Sequence, residues 1–147
     1  MRGAHPEGNH TNMQSGTPPA LRIVREYLTA LQAGAAGDEL SRFFTPDAVQ
    51  IELPNALNPN GQTSDLPTIL SRSLQGRQVL SSQTFEVLNE VAAGDSVAVE
   101  ARWTGVLAIP LGTLPVGARM HAHFAMFFET RDGRIYRQRN YDCFEKW

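Results

Sequence analysis

The chain has 147 residues and a formal net charge of -2 at pH 7, so electrostatics gives no case for a nucleic-acid partner. No apolar run reaches the roughly 18 residues of a membrane-spanning helix, and no Lys/Arg cluster suits binding to an anionic membrane. The length predicts one domain that buries about two thirds of its unfolded surface.

The cysteine content and the N-terminal composition bear on location. Cys143 is the only cysteine and cannot form an intramolecular disulfide, which favours a reducing compartment. The residues after Met1 are polar, unlike the apolar segment of a secretory leader. We therefore expect a cytoplasmic protein. Residues 1–17 are predicted to be a flexible tail, because they carry almost no apolar side chain that could offset the entropy of ordering.

The first half of the remaining chain is predicted to be mainly helical. Val24, Tyr27, Leu28 and Leu31 recur at the spacing of one helix face, after two prolines that suit a first helical turn. The predicted elements are a helix ending at Gly34 or Gly37, a short helix over 39–44, a strand over 48–53, a loop over 55–63, a third helix from 64 or 65 to about 76, and a strand over 83–91.

The second half is predicted to form three long strands, over 97–108, 119–130 and 134–144. Each alternates apolar and polar residues, as where Met120, Ala122 and Phe124 alternate with His121 and His123. Gly-containing turns make neighbouring strands antiparallel. Because a sheet with one apolar face needs a cover, we predict an α+β domain over 18–147. Its N-terminal helices pack on a curved sheet and leave a cone-shaped pocket at the open end.

Four segments carry a resemblance to a known family. They read IVREYLTALQAG over 23–34, FFTPDAV over 43–49, RDGRI over 131–135 and NYD over 140–142. Together they resemble the nuclear-transport-factor-2-like superfamily and, within it, the SnoaL-like group, which is related to ketosteroid isomerase and limonene epoxide hydrolase. The resemblance covers about 18–147 and implies a cone-shaped curved mixed or antiparallel sheet wrapped around the helices. Members include isomerases, hydrolases, dehydratases, cyclases and proteins without catalysis, so the function stays open.

The resemblance also implies a set of polar site residues. Tyr27 lies where ketosteroid isomerase has the tyrosine that donates to the developing oxyanion, and Glu52 where it has its catalytic base. Gln50 and Glu52 match the water-holding positions of limonene epoxide hydrolase. Asn140 matches its general base, although an amide cannot take that proton.

Other positions depart from the related enzymes. Ala101 and Trp103 replace the arginine and aspartate of the epoxide hydrolase. Met126 replaces the second oxyanion donor of the isomerase and the aspartate base of the polyketide cyclases, whose neighbouring histidine is replaced by Phe124. Each of the three known mechanisms therefore lacks at least one part.

These residues predict a largely apolar pocket with a few polar groups. Its apolar wall is expected to comprise Ala101, Trp103, Phe124, Met126 and Phe128, and its polar groups Gln50, Glu52, Asn140, Tyr27, Gln138 and Asp142. A carboxylate in such surroundings can exchange protons near neutrality, which makes Glu52 the candidate general acid/base. Tyr27 would then hold a substrate oxygen, with Asn140 or Gln50 orienting substrate or water. The alternative is that Glu52 pairs with an arginine or an amide and Tyr27 is a core residue.

Three functions follow as hypotheses. The first is a cofactor-independent isomerase, lyase or hydrolase acting on a small apolar or amphipathic molecule that carries oxygen. The second is a binding protein without catalysis, and the third a dimerising or assembly module whose pocket is incidental. No cofactor and no metal are expected, since His121 and His123 have no evident third ligand. These histidines are predicted to lie on the convex face, where the resemblance implies a homodimer.

Overall fold

The computed structural model describes residues 16–147, so the predicted tail lies almost wholly outside the described residues. The helices are α1 (Pro19–Gln32), a 3₁₀ helix (Gly37–Phe43) and α2 (Leu66–Val79). The strands are β1 (Phe44–Glu52), β2 (Gln62–Asp65), β3 (Leu80–Ala93), β4 (Ser96–Leu107), β5 (Arg119–Arg131) and β6 (Arg134–Phe144). None of the helices in this part of the chain is long and apolar enough to cross a membrane.

The six strands form one curved sheet in the order β2-β1-β6-β5-β4-β3. The pairing of β1 with β6 is parallel, and every other neighbouring pair is antiparallel. The predicted α+β class with a mixed sheet under N-terminal helices is therefore confirmed. The sheet does not close on itself, which leaves β2 and β3 as its edges.

Some predicted elements differ from the structure in their bounds or their type. The strand β2 was not predicted, because Gln62–Asp65 is polar throughout and has no apolar alternation. The first strand begins at Phe44, four residues early, and its pairing with β6 is irregular around Pro46. The second helix is a 3₁₀ helix, and β3 extends beyond the predicted 83–91 at both ends.

The two α-helices are held at their ends by local signals. Helix α1 has a proline in its first turn, and Gly34 just after it has a φ of 91°, a value that favours glycine. Asp65 caps α2 by accepting a hydrogen bond from the Thr68 backbone N–H at 3.0 Å, and Pro67 occupies the first turn. Helix α2 thus begins directly at the end of β2, which places it against β1.

Two apolar clusters lie on the concave side of the sheet. The larger one joins α1 and the 3₁₀ helix to the sheet, with Val24, Phe43 and Phe128 almost fully buried. The smaller one, around Trp103 and Met120, lies where β4 and β5 meet the β4–β5 loop. The site described below lies beside the larger cluster, between α2 and the strands β1 and β6.

Candidate functional site

A cavity of about 210 Å³, here called the inner cavity, lies between the helices and the sheet. Tyr27 enters it from α1, Gln50 and Glu52 from β1, and Asn140 from β6. The parallel register pairs Gln50 with Gln138 and Glu52 with Asn140, which brings residues almost ninety positions apart in the chain together. The four polar residues suggested by the family resemblance therefore meet at one cavity.

A chain of amide groups connects β1 to β6 at this cavity. The Gln50 Nε2 group donates to Gln138 Oε1 at 3.0 Å, and Gln138 Nε2 donates to Asn140 Oδ1 at 2.9 Å. An asparagine whose oxygen accepts in this way presents its NH₂ group as a donor. Gln138 is itself buried, so it orients the other two amides and does not line the cavity.

Tyr27 is both a core residue and a cavity residue. Its ring packs against Phe43, Phe44 and Phe128 at centroid distances of 5.1–6.3 Å. Burial raises the pKa of Tyr27 well above its usual range, while a hydrogen bond with Gln50 acts in the opposite direction. The phenol therefore stays neutral and can donate a hydrogen bond at physiological pH.

Glu52 is held by three donors on its two carboxylate oxygens. Its Oε2 accepts from Arg72 at 2.8 Å and from Asn58 at 3.1 Å, and its Oε1 accepts from Asn55 at 3.2 Å. The side chain is 15% exposed, and that of Arg72 is 32% exposed. This geometry favours the alternative interpretation, in which Glu52 pairs with an arginine and amides, because these donors stabilise the ionised carboxylate.

Asp142, a predicted site residue, is a half-buried carboxyl group near the inner cavity but is not part of its lining. It follows Asn140 by two residues on β6, on the same face of the sheet, and is opposite Phe124 of β5. Its Oδ1 atom is buried and has no hydrogen-bond partner among residues 16–147. The pKa of Asp142 is raised to about 7, chiefly by burial; the charge of Glu52 also raises it, and that of Arg72 lowers it. Near neutral pH, both the acid and the carboxylate are therefore populated.

The apolar residues predicted for the pocket wall lie in the core instead of on the inner cavity. Ala101, Met126 and Phe128 belong to the larger cluster and are at most 3% exposed. Trp103 stacks on Phe124 at 5.3 Å. Its indole extends over Gly105, where an added Cβ would come within 2.4 Å of the ring. The inner cavity is accordingly more polar than the sequence predicted.

Several residues that line the inner cavity were not predicted, chiefly on α2. Ile69, Arg72 and Ser73 all line it. Their spacing of i, i+3 and i+4 places them on one face of a helix, which is the signal that could have identified Arg72. The asparagines that hold Glu52 lie in the loop after β1, and no periodic pattern indicates their direction.

The two histidines on β5 lie away from the cavity. His123 is exposed, and the Nδ1 atom of His121 lies 3.1 Å from Thr104 Oγ1 on the neighbouring strand. Both are on the convex face, as predicted from the alternation of β5. Within residues 16–147, no group of three His, Cys, Asp or Glu side chains could hold a metal ion.

A curved mixed sheet, covered on its concave side by helices around a small polar cavity, defines an α+β domain of the NTF2-like class. The sequence matches the SnoaL-like domain over residues 24–138, and the chain belongs to this family. No curated protein matches the sequence.

Solved structures with the same fold include several bacterial proteins. AclR, a candidate hydroxylase from Streptomyces galilaeus, superposes with a TM-score of 0.70 at 16% identity, covering 84% of this chain and 78% of AclR. IdmH, a candidate polyketide cyclase from Streptomyces antibioticus, has a TM-score of 0.69 at 24% identity, with coverages of 86% and 92%. A candidate SnoaL-like polyketide cyclase from Jannaschia sp. CCS1 has a TM-score of 0.65 at 20% identity, with coverages of 88% and 90%. At such identities the likeness supports the fold and not the reaction.

Proposed function

We propose that this protein binds a small, oxygen-bearing organic molecule at the inner cavity and catalyses a proton transfer on it without a cofactor. Asp142 is the general acid/base in this proposal, in place of Glu52. The overall reaction would be an isomerisation, an elimination or a hydrolysis, each of which needs such a proton transfer.

The observation that carries the proposal is the Asp142 carboxyl, which lies on the same face of β6 as the cavity residue Asn140. Its Oδ1 atom is buried without a hydrogen-bond partner in the described part of the chain. A general acid/base works best when its pKa lies near the working pH, and the pKa of Asp142 is about 7. Glu52 and Arg72 both line the inner cavity, and both act on the charge of Asp142. An ionised Glu52 keeps its neighbour basic enough to take a proton.

The remaining polar groups suit the binding of a carbonyl or hydroxyl oxygen. The Tyr27 phenol and the Asn140 NH₂ group are neutral donors on the same cavity. Donors aimed at an oxygen that gains negative charge stabilise the transition state of proton abstraction at an adjacent carbon. Two of the structural neighbours are candidate polyketide cyclases, and polyketides are rich in such carbonyl groups.

The test uses 1-tetralone, a small aromatic ketone with exchangeable protons next to its carbonyl. Proton–deuterium exchange is followed by NMR in D₂O near neutral pH, and ketone binding is titrated separately. We expect the wild-type protein to accelerate exchange in a saturable manner. Asp142→Asn should lose on the order of 100-fold or more in rate, with ketone affinity within about twofold of wild type.

Asp132→Asn is the matched control, because Asp132 is exposed in the β5–β6 turn at a φ of 53° that asparagine also tolerates. This variant should exchange the ketone at the wild-type rate. Exchange that is unaffected by Asp142→Asn would contradict the assignment of the general acid/base. Absence of ketone binding would contradict the ligand site itself.

A binding role without catalysis is the second candidate function. The contacts of Glu52 favour it, since this carboxylate is ion-paired with Arg72 and accepts hydrogen bonds from two asparagines, which leaves it less free to exchange a proton. Saturable binding of 1-tetralone without any acceleration of exchange by the wild-type protein would support this candidate over the first.

We also propose a homodimer formed through the convex face, as the family resemblance implies. Phe127 and Tyr141 are 39% and 44% exposed there and pack edge to face at 5.8 Å, with Val91 on the same side of the sheet. Light scattering should give a dimeric mass for wild type and a monomeric mass for Phe127→Glu. Val116→Glu, an exposed apolar position in the β4–β5 loop, should stay dimeric; a monomeric wild type would contradict the proposal.

A further inference from the structure

A second cavity, here called the outer cavity, lies at the end of α1 and has a volume of about 240 Å³. It is bounded by the last residues of α1, the C-terminal half of α2 and the beginning of β3. Its lining includes Gln32, Gly76, Arg77, Leu80 and Gln83. None of these residues takes part in the proton transfer proposed above.

The outer cavity and the inner cavity share a wall. Leu31 and Ser73 line both of them. Ser73 is fixed, because its Oγ donates to the Leu70 carbonyl at 2.6 Å and accepts from the Gly37 N–H at 2.8 Å. Leu31 is only partly buried and its apolar side chain makes no hydrogen bond, so it is the part of the shared wall that can change rotamer.

The volumes argue that a ligand needs both spaces. Pockets for small organic ligands typically measure about 300–1,000 Å³, and neither cavity alone reaches that range. The two joined across Leu31 do reach it. Because Tyr27 and Asn140, the donors proposed to hold the reacting oxygen, line the inner cavity, the outer cavity is left for a part of the ligand that does not react.

We propose that the outer cavity is a binding subsite for the non-reacting end of an elongated amphipathic substrate, with Leu31 and Ser73 at its junction with the inner cavity. The proposal rests on the proposed function in taking the inner cavity as the place of the reacting oxygen. The substrate class is therefore a molecule with an oxygen-bearing group at one end and an extended, largely apolar body.

The polar groups of the outer cavity indicate what the far end of this molecule carries. Gln83 accepts a hydrogen bond from Trp103 Nε1 at 3.0 Å through its Oε1, which leaves its NH₂ group as a donor. The Arg77 guanidinium reaches across to the Gly34 carbonyl at 3.1 Å and is exposed. An oxygen acceptor at the distal end of the ligand would meet these donors at the mouth of the cavity.

Gly76 provides a steric test that leaves the fold in place. It lies inside α2, and a Cβ added there would meet no atom within 4 Å. A side chain at this position meets no clash, and since Gly76 lines the outer cavity, it stands at the wall of that space. Replacing a helical glycine also raises helix propensity. Gly76→Leu fills the subsite, and Gly76→Ala is the matched control that adds a single methyl group.

The probes are phenol and a series of 4-alkylphenols up to 4-octylphenol, with affinities measured by calorimetric or NMR titration. In wild type we expect affinity to rise by up to about fourfold for each methylene that enters the outer cavity. Gly76→Leu should bind phenol as wild type does and lose about tenfold or more for 4-octylphenol, as about two buried methylenes correspond to that factor. Gly76→Ala should follow the wild-type series.

Two results would overturn the subsite. One is a wild-type affinity that does not increase with chain length, and the other is a Gly76→Leu variant that binds every phenol as wild type does. This outcome is separate from that of the proposed function, which depends on ketone exchange and Asp142. If phenol affinity depends on chain length but the ketone protons do not exchange, the subsite stands and the protein is a binding protein. If the ketone protons exchange but affinity does not depend on chain length, the reaction stands and the subsite is rejected.

Discussion

Asp142→Asn should make the stability of this protein less dependent on pH. On folding, the pKa of Asp142 rises from 3.8 to about 7, chiefly because of burial. The folded state therefore holds more protons than the unfolded chain between about pH 4 and pH 7. Stability falls as the pH rises through that window, since the carboxyl must then ionise in its buried position.

The magnitude follows from the change in pKa. A rise of about 3 in the pKa of Asp142 on folding lowers the free energy of unfolding by at most about 4 kcal/mol at pH 8, where the carboxyl is ionised in both states. At pH 5 the folded state keeps the proton, and the cost is only about 1.5 kcal/mol. Asparagine has the same shape and no charge. The stability of Asp142→Asn relative to wild type should therefore increase by about 2–3 kcal/mol between pH 5 and pH 8.

Urea unfolding of both proteins at pH 5, 6, 7 and 8 measures this difference directly. Other titrating groups contribute equally to the two proteins and cancel in the subtraction. For the control Asp132→Asn, at the exposed turn, the free energy of unfolding should differ from that of wild type by the same amount at every pH. Parallel stability curves for wild type and Asp142→Asn would refute the description of Asp142 as a buried carboxyl without partners.

Four substitutions test the polar contacts of the site and the packing around it by urea unfolding. Glu52→Gln leaves its arginine partner without a counter-charge and should lower the free energy of unfolding by about 1–3 kcal/mol; the partial exposure of the arginine limits this loss. An unchanged free energy of unfolding would mean that the ion pair is not formed. Tyr27→Phe keeps the ring packing and should lower the free energy of unfolding by only about 0.5–1.5 kcal/mol. A larger decrease would contradict a role confined to one hydrogen bond. Gly105→Ala should lower the free energy of unfolding by about 1–3 kcal/mol, because the added Cβ meets the Trp103 ring. Gly76→Ala should leave it unchanged or raise it by up to about 1 kcal/mol, because alanine favours the helix α2. Equal stability of the two variants would argue against this position of the indole.

The fold could be predicted largely from the sequence because its signals are local. The alternation in β4, β5 and β6 and the apolar face of α1 are each visible within a dozen residues. β2 escaped prediction because a short edge strand of polar residues is stabilised by pairing with β1, which the local sequence does not encode.

Four polar residues named from the sequence line the inner cavity, whereas Gln138, Asp142 and the predicted apolar wall do not. Tyr27, Gln50, Glu52 and Asn140 do converge on one cavity. Which carboxyl is neutralised depends on where Arg72 of α2 points, and that is set by how a helix packs on a strand twenty residues away. Phe124 and its aromatic neighbours fill space predicted to be open, since periodicity identifies a face but not the volume that side chains leave free.

The parallel pairing of β1 with β6 has a consequence for how the protein is made. β1 is synthesised well before its hydrogen-bonded neighbour β6, because four strands and a helix lie between them in the chain. Helices and the β3–β5 meander can form earlier, because their contacts are nearer in sequence. The amide chain from Gln50 to Asn140, and with it the inner cavity, can be completed only after β6 has been synthesised. A nascent chain that stalls within β6 is left with the exposed edges of two incomplete sheets.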